Sequence, residues 1–156
     1  AVGDTVRIGP PVGAMTLAAA VDDRELLLIG GGTGTAPMRA LLESIPVGDA
    51  RPVTLLLAAR GPAELYDLAA MSAAVELRPA VTLVVALEQP DGYAGSRALA
   101  GQALSGQAHD ALGQLGDLSG HEVFLAGPPG MLRSCLAALA ELGVPTERLH
   151  FDVLNE

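Results

Sequence analysis

The stretch at residues 26–42, LLLIGGGTGTAPMRALL, constrains the fold more than any other part of the chain. Four apolar residues lead into a run of glycine and threonine, and apolar residues then recur with helical spacing. A continuous apolar run is typical of a strand buried in a parallel sheet, and the later spacing predicts a helix. Pro37 suits the first turn of that helix, and we expect the Thr35 hydroxyl to cap it. The stretch therefore predicts a strand, a tight glycine turn and a helix.

The glycine turn is a candidate phosphate site, because glycine lets a ligand approach the backbone and a helix N-terminus attracts anions. Two phosphate motifs do not fit it. A P-loop needs a lysine, and the chain contains no lysine. The fingerprint GxGxxG needs a third glycine where this chain has Thr35 or Pro37. On the local pattern alone, a plain strand–helix turn that required small residues remains the alternative.

The composition argues against several classes of function. The formal net charge is −9 and every basic side chain is an arginine, so we expect no binding to nucleic acid or to a membrane. Cys135 is the one cysteine, which excludes an internal disulfide and suits a reducing, cytoplasmic location. The histidines are scattered, and together with one cysteine they provide no spacing for a metal site.

Strands and helices alternate along most of the chain. The alternation predicts an α/β fold built on an open five-stranded parallel sheet, with helices on both faces and right-handed crossovers. Apolar runs predict strands at 26–30, 53–58, 81–87, 123–126 and 149–153, and helical spacing predicts helices at 36–44, 63–75, 98–104, 109–115 and 131–142.

Unusual residues follow four of these strands. They are the glycine turn after the first strand, Arg60 after the second, Glu88 after the third and the turn GPPGM at 127–131 after the fourth. The carboxyl ends of parallel strands meet at one edge of a sheet, and ligands bind there near the point where strand order reverses. We therefore expect the two glycine-bearing turns to form one cleft, with Thr33 and Pro128 on the same edge.

Three segments together resemble the NAD(P)H-binding half of the ferredoxin–NADP reductase-like flavoenzymes. They are LLLIGGGTGTAP, VTLLLAARGPAELYDL and the segment at 117–152, which begins DLSGHEVFLAGPPGM, and the similarity covers residues 26–152. The pattern is most similar to reductase modules of multicomponent oxygenases and to flavohaemoglobins. It implies a Rossmann-like sheet over residues 21–156. Residues 2–13, VGDTVRIGPPVG, resemble the last strand of a flavin-binding barrel, so residues 1–20 are expected to be its remnant or a linker.

The resemblance implies that the chain binds NADH or NADPH, whose hydride passes to FAD and then, as electrons, to a haem or iron–sulfur partner. The cofactors carry that reaction, so no catalytic protein residue is expected. The first turn is assigned to the diphosphate and nicotinamide, Arg60 to the adenosine, and the second turn to the opposite wall. From its position after the third strand, Glu88 is expected either to contact ribose or the nicotinamide amide or to be a solvated loop carboxylate. The implied cofactor-binding residues are Gly31, Gly32, Thr33, Gly34, Thr35, Pro37, Arg60, Glu88, Gly127, Pro128, Pro129, Met131, Phe151 and Asp152.

The chain departs from the family pattern in three places. Ala126 stands where many members have a cysteine beside the nicotinamide, and Asp152 is shorter than the usual residue near the last strand. No Arg-x-Tyr-Ser/Thr flavin motif occurs, so FAD is expected to be held by an upstream domain. These departures motivate a second hypothesis, a non-catalytic nucleotide-binding or structural domain of the same fold.

The choice between the two nucleotides stays open at the level of sequence. Arg60 can meet the 2′-phosphate of NADPH, whereas Glu64 or Asp67 can accept a hydrogen bond from the free 2′-hydroxyl of NADH. The similarity of ARGPAELYDL to NADH-using oxygenase reductases favours NADH.

Overall fold

The sheet has six parallel strands within the part of the chain that the computed structural model describes, which is residues 3–7, 9–10, 13, 15–19, 24–91 and 103–151. The strand order is β4-β3-β2-β1-β5-β6, and every neighbouring pair is parallel. The strands are β1 Leu26–Gly31, β2 Val53–Ala59, β3 Val81–Leu87, β4 Ala103–Ser105, β5 Glu122–Ala126 and β6 Leu149–Phe151. The helices are α1 Thr35–Ser44, α2 Leu68–Glu76, α3 Ala108–Leu112 and α4 Pro129–Glu141.

Strand β1 is the centre of the sheet, and all six of its residues are buried. It pairs with β2 on one side and with β5 on the other, so that Leu28 lies opposite both Leu55 and Phe124. A strand with a neighbour on each side and helices on each face has no exposed surface, which is why its sequence is a continuous apolar run. Strand order reverses between β1 and β5, so the switch point of the sheet lies at their carboxyl ends.

The two faces of the sheet carry different helices. Leu27 and Ile29 pack in one cluster with residues of α3 and α4. Leu26 and Leu28 alternate to the opposite face and pack with residues of α1 and α2. The prediction of a parallel sheet covered on both faces is therefore confirmed, and α3 and α4 share the face on which the cleft described below opens.

The prediction of five strands is wrong by one, because residues 103–105 form strand β4 where the sequence predicted the end of a helix. Ala103 pairs with Val85 and Ser105 with Leu87, so the segment extends the sheet beyond β3. Such a short segment carries too few residues to show a period of two, and its conformation is set by the free edge of β3. Residues 98–102 of the predicted helix lie outside the described residues.

The helix predicted at 63–75 begins later, at Leu68. Residues Pro62–Glu64 form a 3₁₀ turn instead, and Asp67, which immediately precedes α2, has a φ of 63°. A residue in the left-handed region cannot lie inside an α-helix, so the helix starts only after it.

The described N-terminal residues do not form the barrel strand that the resemblance of residues 2–13 implied. Residues 4–7 have no assigned secondary structure and are exposed. A strand requires a hydrogen-bonded neighbour, and none of the described strands pairs with this segment. Further on, Met15 and Leu17 pack against the core cluster of α1 and α2. The division at residue 20 into a barrel remnant and a nucleotide-binding domain stays a prediction.

No helix in the described ranges is long and apolar enough to cross a bilayer.

Candidate functional site

The two glycine-bearing turns are in direct contact at the carboxyl edge of the sheet. Gly30 of β1 lies opposite Ala126 of β5, so the turns that follow leave the sheet side by side. A Cβ added to Gly34 would lie 2.1 Å from the carbonyl oxygen of Ala126 and 2.6 Å from the amide nitrogen of Gly127. The φ of Gly34 is −64°, which any residue adopts, so the lack of space and not backbone conformation requires glycine here.

Met131 lies over both turns. A Cβ on Gly31 would meet the Met131 Sδ at 2.3 Å, and a Cβ on Gly127 would meet the Met131 Cε at 3.1 Å. The thioether therefore packs on the bare backbone of both turns. This arrangement gives the site a floor made of glycine backbone and one flexible apolar side chain.

The first turn differs in one detail from the prediction. Gly32, with a φ of 53°, opens a 3₁₀ turn that ends at Gly34, and Gly34 is the residue that precedes α1. Thr35 is the first helical residue and is buried, so its predicted role as the side-chain cap is wrong. The 3₁₀ turn at Gly32–Gly34 leads directly into α1, so the helix begins one residue earlier than predicted and Thr35 lies inside it. Pro37 lies in the first turn of α1, as predicted.

The second turn leads into α4 without a side-chain cap. Pro128 precedes the helix, Pro129 is its first residue, and no side chain bonds to the free N–H groups of the first turn. Gly130 and Met131 of that turn line the cleft. A helix of this length places partial positive charge at its uncapped end, so this wall of the cleft suits an anion such as a phosphate.

The cleft at this edge has a volume of about 530 Å³. It opens on the face of the sheet that carries α3 and α4. Its lining comes from the ends of three strands and the starts of these two helices, namely Gly31, Gly32, Ala58, Ala59, Arg60, Glu64, Glu88, Gln107, Ala108, His109, Pro128, Gly130, Met131 and Ser134.

Six of the predicted residues line this cleft. The others have varied positions: two form the contact between the turns, Thr33 is exposed on the first turn, and Phe151 ends β6 at the same edge without lining the cleft. Asp152 lies outside the described residues. The six lining residues are Gly31, Gly32, Arg60, Glu88, Pro128 and Met131, and the remaining ones are Thr33, Gly34, Thr35, Pro37, Gly127, Pro129 and Phe151.

The two carboxylates considered for recognition of the ribose 2′-hydroxyl, those of Glu64 and Asp67, differ in whether they line the cleft. Glu64 lines the cleft and forms two contacts with Arg60, Nη2 to Oε1 at 3.0 Å and Nε to Oε2 at 3.3 Å. Asp67 instead accepts a hydrogen bond from the Arg39 Nη1 at 2.5 Å and does not line the cleft. Arg60 thus has its charge paired by a carboxylate that faces the same space.

The wall formed by the start of α3 was missed from the sequence. Gln107, Ala108 and His109 face the cleft from there. They lie within a long polar and glycine-rich segment that the sequence analysis did not connect with the site. The signal that could have found them is the helix predicted at 109–115. A helix that follows a parallel strand begins at the carboxyl edge of the sheet, and the cleft lies at that edge. Among the described residues, no three His, Cys, Asp or Glu side chains gather as a metal site would require.

A family model described as "Oxidoreductase NAD-binding domain" matches residues 28–136. The chain is 29% identical over 153 residues to the reductase component 1 of terephthalate 1,2-dioxygenase from Comamonas, covering 97% of this chain and 44% of that protein. It is 29% identical over 156 residues to the phenol hydroxylase P5 protein of Acinetobacter pittii, covering 97% of this chain and 42% of the relative. The chain therefore spans less than half the length of these relatives.

Solved structures agree with this relationship. The cytochrome P450 reductase GcoB of Amycolatopsis is 29% identical with a TM-score of 0.72, covering 91% of this chain and 41% of that one. The flavohaemoglobin of Malassezia yamatoensis has a TM-score of 0.75 at 20% identity, covering 92% and 35%, a likeness that shows the fold. The family model covers more than half of the chain and spans both glycine turns, and this chain belongs to the family of oxidoreductase NAD-binding domains.

Proposed function

We propose that the cleft binds NADH and that the chain presents its nicotinamide to FAD held by an upstream domain. In the full protein, electrons then pass to a haem or iron–sulfur partner. When bound, the two cofactors supply the chemistry, a hydride transfer from the nicotinamide to the flavin. The observation that carries the proposal is the contact between Gly34 and Ala126, which joins the two turns into one site at the switch point of the sheet.

The residues of the cleft fit a dinucleotide. The bare backbone of Gly31 and Gly32 lets a diphosphate approach, and the uncapped first turn of α4 offers N–H groups to it. The volume of about 530 Å³ lies in the range of ligand sites. The chain's own part is thus to bind and orient the ligand at an edge made of rigid sheet.

The pairing of Arg60 with Glu64 supports NADH over NADPH. A 2′-phosphate near Arg60 would also meet the Glu64 carboxylate, and the two negative charges would repel each other. A free 2′-hydroxyl can instead donate a hydrogen bond to Glu64. Because NADH is held inside the cell, the proposal includes a cytoplasmic location.

The test is a fluorescence titration of the folded chain with NADH and NADPH. We expect saturable binding of both, with a lower Kd for NADH. Glu64→Gln should reduce that preference about fivefold, since a charged hydrogen bond is lost at a half-exposed position. Glu76→Gln is the matched control, because Glu76 is exposed at the end of α2 on the opposite face.

Two results would contradict the proposal at different levels. If neither nucleotide binds saturably, dinucleotide binding is refuted. If both bind and NADPH binds more tightly, the cleft keeps its function and the role given to Glu64 is refuted.

A second candidate is a nucleotide-binding domain that takes no part in electron transfer. It is favoured by Ala126, which occupies the position where the family pattern has cysteine and whose side chain packs in the core with α1 and α2. The full-length protein separates the two, because only a reductase consumes NADH when ferricyanide is supplied as an electron acceptor.

A further inference from the structure

We propose that His109 contacts the diphosphate of the bound nucleotide and makes nucleotide affinity depend on pH. This inference rests on the proposed function and adds to it a residue on the wall opposite the start of α4. His109 lies on α3, and the sequence analysis predicted no contact between α3 and the nucleotide.

His109 lies beside a small hydrogen-bond network at the start of α3. Asp110 accepts a hydrogen bond from the Gln107 backbone N–H through its Oδ2 at 2.9 Å, in a reciprocal cap of the helix. Its other oxygen, Oδ1, lies 3.5 Å from the Nε2 of His109. A Cβ on Gly106, which has a φ of 124°, would lie 3.0 Å from Asp110 Oδ2, so the backbone leaves room for this carboxylate. The Nε2 of the imidazole thus lies beside Asp110, and we assign the other nitrogen, Nδ1, to the ligand.

The charges that line the cleft explain why protonation of the His109 imidazole should strengthen the binding of a diphosphate. Of the described residues that line the cleft, Glu64 and Glu88 carry negative charge and Arg60 carries positive charge. Arg60 is already paired with Glu64, and the whole chain has a net charge of −9. A diphosphate bearing two negative charges therefore enters a site whose lining is net negative while the imidazole is neutral. Protonation of His109 removes that imbalance and adds a charge-assisted donor.

The groups that face His109 do not replace it as the titrating group. Carboxylates and guanidinium groups keep their charges between about pH 5.5 and 8.5, whereas imidazoles change theirs in this range. On α4, Arg133 is exposed to solvent and does not line the cleft, and Ser134 lines it with an uncharged hydroxyl. The charged groups around the imidazole are Asp110 on its own helix, Arg60 and Glu64 after β2, and Glu88 after β3.

The experiment is calorimetric titration of the folded chain with NAD⁺ and ADP-ribose between pH 5.5 and 8.5. Both ligands are stable in acid, and their diphosphate is a diester whose charge stays constant over this range. We expect the Kd of both ligands to rise about fivefold from the acid to the alkaline end, because a partly exposed charged contact is lost. The variant His109→Gln should bind with the alkaline-end affinity at every pH.

His121→Gln is the matched control. His121 precedes β5 at the amino edge of the sheet, away from the cleft, and contacts Glu25 at 3.2 Å. This variant should keep the wild-type pH profile, which shows that the profile does not report imidazole loss in general. Circular dichroism at each pH checks that all three proteins stay folded.

The outcomes separate the two levels of the proposal. Saturable binding with the same pH profile in the wild type and in His109→Gln would overturn the role of His109 and leave nucleotide binding standing. A profile that is lost in His121→Gln as well would also overturn it. No saturable binding by the wild type at any pH would overturn the proposed function, and this inference with it.

Discussion

Gly34→Ala is the substitution that tests the geometry of the site most directly. The new methyl group would lie 2.1 Å from the carbonyl oxygen and 2.3 Å from the carbonyl carbon of Ala126. Neither atom can rotate away, because both belong to the backbone of β5, which is hydrogen-bonded to β1 along its length. The φ of −64° is allowed for alanine, so no conformational strain adds to the effect.

The size of the effect follows from these distances. Non-bonded carbon and oxygen atoms normally stay about 3.5 Å apart, so the two turns must separate by roughly 1.4 Å. Overpacking of a rigid core costs about 1–3 kcal/mol, and we expect about 3 kcal/mol here because the obstacle is backbone. For a domain of this size, that loss corresponds to a fall in Tm of about 9 °C. The affinity for NADH should fall with it, because the separation widens the floor of the cleft.

The assay is urea unfolding followed by circular dichroism, with two glycine controls. In Gly31→Ala the methyl group meets the Sδ of Met131, the end of a flexible side chain that can move, so we expect a loss below about 1 kcal/mol. In Gly130→Ala, within α4, nothing lies within 4 Å, and alanine should stabilise the helix by about 0.5 kcal/mol. A Gly34→Ala protein that unfolds at the wild-type urea concentration would refute the contact between the turns.

Two further predictions concern the core. The guanidinium of Arg78 donates hydrogen bonds to the carbonyl oxygens of Ile45 at 3.0 Å and Ala74 at 2.8 Å. Arg78→Met should therefore lower the free energy of unfolding in urea by about 2–3 kcal/mol, and Arg78→Lys should recover part of that loss. An unchanged midpoint of urea unfolding in Arg78→Met would contradict this prediction. Burial raises the pKa of the Cys135 thiol to about 12, so iodoacetamide at pH 8 should label the unfolded chain and spare the native one. Since the unfolded thiol ionises first, the free energy of unfolding should fall above pH 9 by at most about 1.4 kcal/mol per pH unit, a slope absent from Cys135→Ala.

The sequence predicts those elements whose residues are buried on every side. Strands β1, β2, β3 and β5 are mainly apolar in sequence because neighbouring strands and helices bury most of their residues, and the apolar residues of helix α4 recur along its buried face. The contact between the two turns could also be expected, since both follow strands that end at one edge.

The elements that the sequence does not reveal are set by distant partners. Strand β4 exists because β3 has a free edge, and nothing within Ala103–Ser105 records that edge. Asp67 takes its left-handed conformation while its carboxylate is held by Arg39 from a different helix. His109 faces the cleft only because β4 delivers α3 to that side. Each of these features depends on a contact between residues far apart in the chain.

The pairing of β1 with β5 restricts the places at which the nucleotide selectivity of such a domain can change. The two glycine-bearing turns follow neighbouring strands, and backbone hydrogen bonds hold these strands about 4.8 Å apart. Neither turn can move far without breaking backbone hydrogen bonds of the sheet, so we expect the proposed contact with a phosphate to be the same for every nucleotide. We expect nucleotide selectivity to change where the backbone is not hydrogen-bonded within the sheet, namely in the 3₁₀ turn after Arg60 and at the start of α3. Attempts to redirect this domain to a different nucleotide belong at those two places.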